Sequence, residues 1–316
     1  MSEREFVDYL KRTFPFDYGV GIGDDASVVP IDGSVQLITK DILIENEHFR
    51  LEDCTLHQLA LKALAVNISD IAAMGGKSQY FYLGLGYPRR LARERVIEFF
   101  NGLADGCRRW TVQLAGGDYS ASRDMFISIT LVGMMDEGVK PVQRNGAKVG
   151  DLVGITAVTG ESAIGLKLLF EGIGSGYFVD RHFLVEPEVE KGPVLARYVN
   201  AMIDVSDGLL LDLSRVLDAS QKGARIDYGA IPVTTEMKTM CREKGWREVD
   251  LVLSGGEDYR LLFTISPESE ARMKGENKNL EYYIIGEIND QNGSLIVEDR
   301  GKVIEIPRLG YDHFVS

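Results

Sequence analysis

Apolar and polar residues alternate from Ser34 to Ile44 (SVQLITKDILI), which predicts a strand with Leu37, Thr39 and Asp41 on one face and Ile38 and Lys40 on the other. The period then lengthens to that of a helix. Thr55 and Gln58 form a capping box, an apolar pattern runs to Met74, and Gly75 with Gly76 ends it. Leu59, Ala63, Val66 and Asp70 recur at helical spacing, so Asp70 falls on the packed stripe. A second helix is predicted over Ala92–Trp110. It leads through VQLAGG to Asp118 at a strand end, and MFISITLVGMM from Met125 reads as a buried strand.

The pattern lapses between Val139 and Lys148 (KPVQRNGAK among them), which predicts a boundary between a domain of residues 1–139 and one of residues 140–316. Strand and helix alternate again beyond it: DLVGITAV, a turn at Thr159-Gly160, the helix SAIGLKLLFEG, then the strand-to-helix unit AMIDVSDGLLLDLSRVLDAS and the strand YRLLFTI. Closing hairpins are expected from YYIIGEI, SLIVE and KVIEI, turning at Gln291-Asn292-Gly293 and Asp299-Arg300-Gly301. The expected class is α+β in two halves, each a mixed sheet flanked by helices. No short-period repeat is present, which excludes solenoids and propellers.

Composition changes the picture in one respect, charge. The 48 acidic against 35 basic residues give a net charge of −13, which argues against a nucleic-acid or anionic-membrane surface. A polyanionic substrate would need metal ions to approach. MSEREFVDYL carries charges where a signal peptide needs an apolar run, and no stretch has the length of a membrane span, so a cytoplasmic protein is expected. Cys54, Cys107 and Cys241 are isolated and odd in number, which suggests buried structural thiols rather than disulfides or a zinc site.

Six segments carry candidate chemistry. In GVGIGDD from Gly19, Asp24 and Asp25 adjoin, and a cation would relieve their repulsion, although a polar turn explains them equally well. Asp41 with Thr39, and His48 seven residues beyond Asp41, are each singly more ordinary as turn or structural groups. Within Asn67-Ile-Ser-Asp70, a carboxylate on a packed helix must be paired or bind metal. Gly116, Gly117 and Asp118 would let backbone approach a phosphate; a simple turn looks similar. Asp204 interrupts an apolar strand and shares its face with Ser206, while Asp207 either caps the next helix or binds metal. SGGEDY from Ser254 is otherwise a loop with a solvated acidic pair, and Arg144 and Lys148 lie near the boundary as candidate phosphate contacts. No Gly-Lys-Ser/Thr phosphate loop and no protein-kinase signature occurs, so metal clustering is the coherent route to phosphoryl transfer.

In this order GIGDDASV, TKDILIENEHF, KALAVNISDIAAMGG, LAGGD, QRNGAKVGD, IDVSDGL, SGGEDYRLLFT and the terminal GYDHF resemble the thiamine-monophosphate kinases, of the superfamily that includes aminoimidazole ribonucleotide synthetase. The resemblance implies direct in-line transfer from ATP to the phosphate of thiamine monophosphate, with no phosphoenzyme. It implies Mg²⁺ ions held by Asp25, Thr39, Asp41, Asp70, Asp118, Asp204 and Asp207, with Asp24 close by and Asp70 and Asp207 as the catalytic pair. It implies ATP contacts at Gly117, Asp118, Arg144 and Ser206, and acceptor contacts at His48, Glu257 and Tyr311. It also implies a homodimer whose N-terminal sheets join, with the site between the domains. Thr39-Lys40-Asp41 departs from the family's Ser/Thr-Thr-Asp: Lys40 either points away from the cluster or replaces one ion's charge. Arg260 replaces a Glu with little expected consequence. Rival readings are an aminoimidazole ribonucleotide synthetase-like ligase, against which GYDHF speaks, and a non-catalytic ATP sensor, which would not need so many carboxylates.

Overall fold

The computed structural model describes residues 3–306 and 308–311; of the terminal GYDHF motif, residues 312–314 lie outside the described residues. Two mixed sheets flanked by helices form the α+β architecture expected from the sequence. The first contains β1 (Ser27–Ile31), β2 (Ser34–Ile44), β3 (Lys77–Pro88), β4 (Gln113–Ser122) and β5 (Phe126–Met134), in the order β1-β2-β5-β3-β4. Only the β3–β4 pair is parallel. The second contains β6 (Leu152–Ile155), β7 (Ala201–Asp204), β8 (Gly223–Asp227), β9 (Leu261–Ile265), β10 (Tyr283–Asn289), β11 (Leu295–Asp299) and β12 (Lys302–Val303), in the order β12-β11-β8-β10-β6-β9-β7. The helices are α1 (Glu3–Thr13), α2 (Leu56–Ala73), α3 (Arg93–Trp110), α4 (Glu161–Phe170), α5 (Tyr177–Phe183), α6 (Lys191–Leu195), α7 (Leu209–Ser220), α8 (Thr235–Lys244), α9 (Glu248–Ser254) and α10 (Pro267–Glu276). Among the described residues no helix is long and apolar enough to cross a membrane. Cys54 and Cys241 are buried thiols and Cys107 is half-buried.

The helix that matters most is α2. Its capping box forms as the sequence predicts, Thr55 accepting from the Gln58 amide while the Gln58 side chain returns to the Thr55 N–H. The sequence suggested one packed stripe, yet 14 of its 18 residues are buried. A helix apolar nearly all round belongs between layers. It packs on β2, β3 and β5 on one side, beside α3, and meets β7, α5 and α6 of the second half on the other. The seam is tight: a Cβ on Gly192 in α6 would stand 2.3 Å from the Ala72 carbonyl oxygen of α2.

Two expectations fail. β10 and β11 do not form a hairpin: β8 lies between them, antiparallel to β10 and parallel to β11. Asp118 is within β4, not at a strand end, and its glycines run through an edge strand rather than a turn. The β11–β12 hairpin does form, with positive φ at Arg300 and Gly301.

Gly192→Ala should therefore force α6 off α2 and lower the unfolding free energy by about 1–3 kcal/mol in urea denaturation, with the denaturant slope unchanged.

Candidate active site

The acidic residues converge where α2 meets β7. Carboxylate oxygens of Asp25, Asp70 and Asp204 all lie within 4.8 Å of one another. Each arrives on a different element: Asp25 from the loop before β1, Asp70 from the last turn of α2, and Asp204 from the end of β7. At that separation an effective dielectric of about 20 makes each ionised pair unfavourable by about 3 kcal/mol. Burial pushes the carboxyls of Asp70 and Asp204 well above the usual range, and the repulsion of neighbouring aspartates adds to it. Asp25 is also raised, burial outweighing the Arg144 guanidinium 2.6 Å away. Asp41 is pushed up to about 6, first by burial, then by Asp207 and Asp25.

Neutral donors hold the geometry. Ser69 Oγ donates to Asp204 Oδ2 at 2.5 Å, and Thr39 Oγ1 donates to Asp70 Oδ2. Asn67 Oδ1 accepts the Asp41 backbone N–H at 3.1 Å while its amide nitrogen donates to the Ala63 carbonyl. Every polar residue of Asn67-Ile-Ser-Asp70 thus has a separate job. Asp24, adjacent to Asp25, turns the other way and accepts from the Arg144 backbone N–H at 2.7 Å and from Gln143 Nε2 at 3.0 Å. Among the described residues the buried Asp25 Oδ2 has no hydrogen-bond partner. Convergent hard oxygens, one of them buried and unsatisfied, form a donor set that fits a hard divalent cation.

Asp207 does not cap α7. Gly208 occupies the N-cap position, and the Asp207 carboxylate pairs with Arg215 at 2.7 Å. The organiser of this loop is a residue the sequence reading missed, Asp212. Its buried Oδ2 accepts the backbone N–H groups of Ser206, Asp207 and Gly208 at 3.0, 3.0 and 3.2 Å, and Arg215 bonds its other oxygen at 2.6 Å. Burial first, and Asp207 among its neighbours, push Asp212 up to about 7. The available signal was an aspartate in the first turn of the helix after Asp-Gly.

The SGGEDY segment is not a solvated acidic pair. Asp258 is bonded to the backbone N–H groups of Gly160 and Ser162 at the start of α4, and burial pushes it up to about 7. Glu257, at φ 62°, donates its backbone N–H to the Ser206 carbonyl at 2.6 Å, and its carboxylate meets Lys62 at 2.9 Å. Gly256 precedes it because a Cβ there would stand 2.5 Å from the Ser206 oxygen. Tyr311 donates its backbone N–H to the Asp207 carbonyl at 3.0 Å, with Arg308 over its ring. His48 Nδ1 accepts the Ile44 N–H at 3.1 Å.

Other expected residues stand apart. Asp118 and Gly117 are exposed on the edge strand β4, outside the three-aspartate group. Lys148 is exposed, with its backbone N–H on Asp151 at 2.9 Å. Lys40 points away from the cluster and donates to Ser128 Oγ at 2.6 Å and Thr130 Oγ1 at 3.2 Å. Arg260 pairs with Glu188 at 3.4 Å.

This two-sheet fold with an acidic seam defines an AIR synthase-related protein: residues 23–135 match the family model "AIR synthase related protein, N-terminal domain" and residues 148–298 match its C-terminal counterpart. Curated relatives narrow the class. The thiamine-monophosphate kinase of Haemophilus influenzae is 33% identical over 99% of both chains, and that of Rhodopirellula baltica is 32% identical over 92% of this chain and 90% of its own. The chain belongs to the thiamine-monophosphate kinase family. Among solved structures, AaThiL complexed with AMPPCP and TMP superposes with a TM-score of 0.88 at 30% identity, covering 99% of this chain and 97% of that one. The hydrogenase maturation protein HypE, at 16% identity and a TM-score of 0.71 over 95% and 97% of the two chains, shares the fold.

Raised carboxyl pKa values fix the sign of the pH dependence. The folded chain binds protons more tightly than the unfolded one, so this stability is full below about pH 4 and is lost as pH rises through 6 and 7, the values for Asp41 and Asp212. In EDTA the melting temperature should fall by roughly 5 °C between pH 5 and pH 8, and Asp204→Asn should flatten that fall in differential scanning calorimetry.

Proposed function

We propose that this chain transfers the γ-phosphoryl group of ATP directly to the phosphate of thiamine monophosphate, giving thiamine diphosphate and ADP. The observation that carries this reading is the convergence of Asp25, Asp70 and Asp204 beside Glu257 and Tyr311, in a chain whose near full-length relatives are thiamine-monophosphate kinases. AaThiL was solved with a nucleotide analogue and TMP in the same fold, which supports ATP and thiamine monophosphate as the substrates. A cytoplasmic enzyme fits this reading, since that compartment supplies ATP.

Mg²⁺ would be held by Asp25, Asp70 and Asp204, with Thr39, Asp41, Asp118 and Asp207 as further oxygen donors, and would supply neutralisation of the phosphate oxygens. The chain's residues do the rest. Arg144, backed by Asp25, and the Ser206–Gly208 loop, preformed by Asp212, orient the nucleotide. Gly117 and Asp118 add to the nucleotide site from β4. Glu257, His48 and Tyr311 hold the thiamine end. The acceptor is a phosphate monoester, whose second pKa of about 6 leaves it ionised at neutral pH. No residue therefore has to remove a proton from the nucleophile. An acceptor oxygen forms the new bond to the γ-phosphorus while the bond to the β-bridging oxygen breaks and ADP leaves. Positioning and charge neutralisation are the whole task, which accounts for a site rich in carboxylates.

Residues 1–139 form the metal- and ATP-binding half in this reading, and residues 140–316 complete the ATP and acceptor sites. The first half also carries the dimer contact. β2, β5 and β3 turn Lys40, Ile42, Thr130 and Tyr82 to the face opposite α2, with Ile42 41% and Tyr82 48% exposed. A second copy covering that face is a homodimer joined through its N-terminal sheets. Sedimentation should then give about twice the chain mass of 35.1 kDa.

Purified protein should release ADP only when thiamine monophosphate accompanies ATP, and EDTA should abolish the release. ADP release indifferent to thiamine monophosphate would refute the function. Asp70→Asn should lower kcat by about a hundredfold or more while the melting temperature at pH 8 in EDTA holds or rises, because crowding among the aspartates is relieved.

A further inference from the structure

Glu257 is backed by a cation that no part of the acidic cluster uses. Lys62 lies on α2 eight residues before Asp70, about 12 Å along the helix axis at 1.5 Å per residue. Its side chain is 1% exposed. A leucine or methionine would fill this interior position without the desolvation that an ammonium group suffers. Its Nζ stands 2.9 Å from Glu257 Oε1 and 5.7 Å over the Phe183 ring, and among the described residues it has no other hydrogen-bond partner of good geometry. The other carboxylate oxygen faces His182 Nδ1 at 3.4 Å, and that nitrogen is 3.0 Å from Ser162 Oγ.

The charges in this pocket divide unequally. Burial, then Lys62, push His182 down to about 4, so its ring is neutral at physiological pH. Burial works to raise Glu257, but Lys62 and His182 outweigh it and hold the carboxyl below its ordinary range. The backbone of Glu257 is fixed independently by the Ser206 carbonyl, and 28% of its side chain stays open to solvent. A buried ammonium therefore clamps one oxygen of an anion whose main chain is already locked beside Asp207.

We propose that Lys62 is a positioning residue for the acceptor: it holds the Glu257 carboxylate as an oriented anion for the cationic heteroaromatic end of the substrate, two helical turns from the phosphates. This rests on the function proposed above. Lys62 acts through Glu257 on acceptor binding and has no part in phosphoryl transfer. Asp70 and Lys62 thereby make α2 a ruler, with the reacting end of the acceptor at one mark and its ring system at the other.

The test compares Lys62→Met, Glu257→Gln and the double variant, measuring KM for thiamine monophosphate, kcat, melting temperature, and the Kd of a non-hydrolysable ATP analogue by calorimetry. Lys62→Met should raise KM about tenfold, leave kcat within about threefold and leave the analogue Kd unchanged. The double variant should be no worse than Glu257→Gln, because the two act as one unit. If Lys62→Met does not fold, the double variant removes both charges and is compared with Glu257→Gln, equal KM values supporting the assignment. A lowered melting temperature with wild-type KM would make Lys62 a structural cation and overturn the proposal. Additive KM increases in the double variant, or a fall in kcat with KM unchanged, would overturn it too. A wild-type protein inert toward thiamine monophosphate would overturn the proposed function and this inference together, whereas the other failures leave the function standing.

Discussion

Like charges held close together out of water are the constraint around which this molecule is arranged. Asp25, Asp70 and Asp204 come from three elements and repel one another, so their placement must be enforced by the groups around them, most of them uncharged. Thr39 and Ser69 donate single hydrogen bonds, Asn67 pins the strand carrying Asp41, and Arg144 takes one side of Asp25. Asn67 and Ser69 stand on α2 and Thr39 bonds to its Asp70, and α2 is rigid because it is capped at one end and buried along most of its length. The hydrophobic cluster is continuous from the first sheet through α2 into the second. Apolar burial thus supplies the stability that the acidic seam withdraws.

Features set by local sequence were legible in advance. β2 begins and ends where alternation begins and ends, and the α2 capping box and glycine stop are both real. The opposite facing of Lys40 and Asp41 followed from the two-residue period alone. Features set by non-local pairing were not legible. β8 carries too short a pattern to announce that it separates β10 from β11, and a parallel neighbour leaves no turn signal in the chain. The Asp118 glycines suggested a strand end whose backbone a phosphate could approach, or a simple turn. Here Gly117 is required by the approach of the Leu83 backbone on β3, 2.0 Å from where its Cβ would be.

The site was legible as a set of residues more than as an arrangement. The aspartates of four motifs meet, but the residues that orient them were invisible as chemistry. Asp212 looked like an ordinary first-turn acid, and Lys62 sat within an apolar helix pattern with nothing to mark its partner nearly two hundred residues away. Adjacent residues also take unrelated duties, which a motif cannot show. Asp24 braces the segment between the sheets while Asp25 joins the cluster, and Asp258 fastens α4 while Glu257 meets Lys62.

The Ser206–Gly208 loop leads into the N-terminus of α7, a place where free backbone N–H groups ordinarily attract anions. Asp212 occupies the amides just before that terminus, those of Ser206, Asp207 and Gly208, with a carboxylate belonging to the chain itself. With those three amides taken, the loop presents carbonyl oxygens and side chains, Arg215 among them, to whatever approaches it.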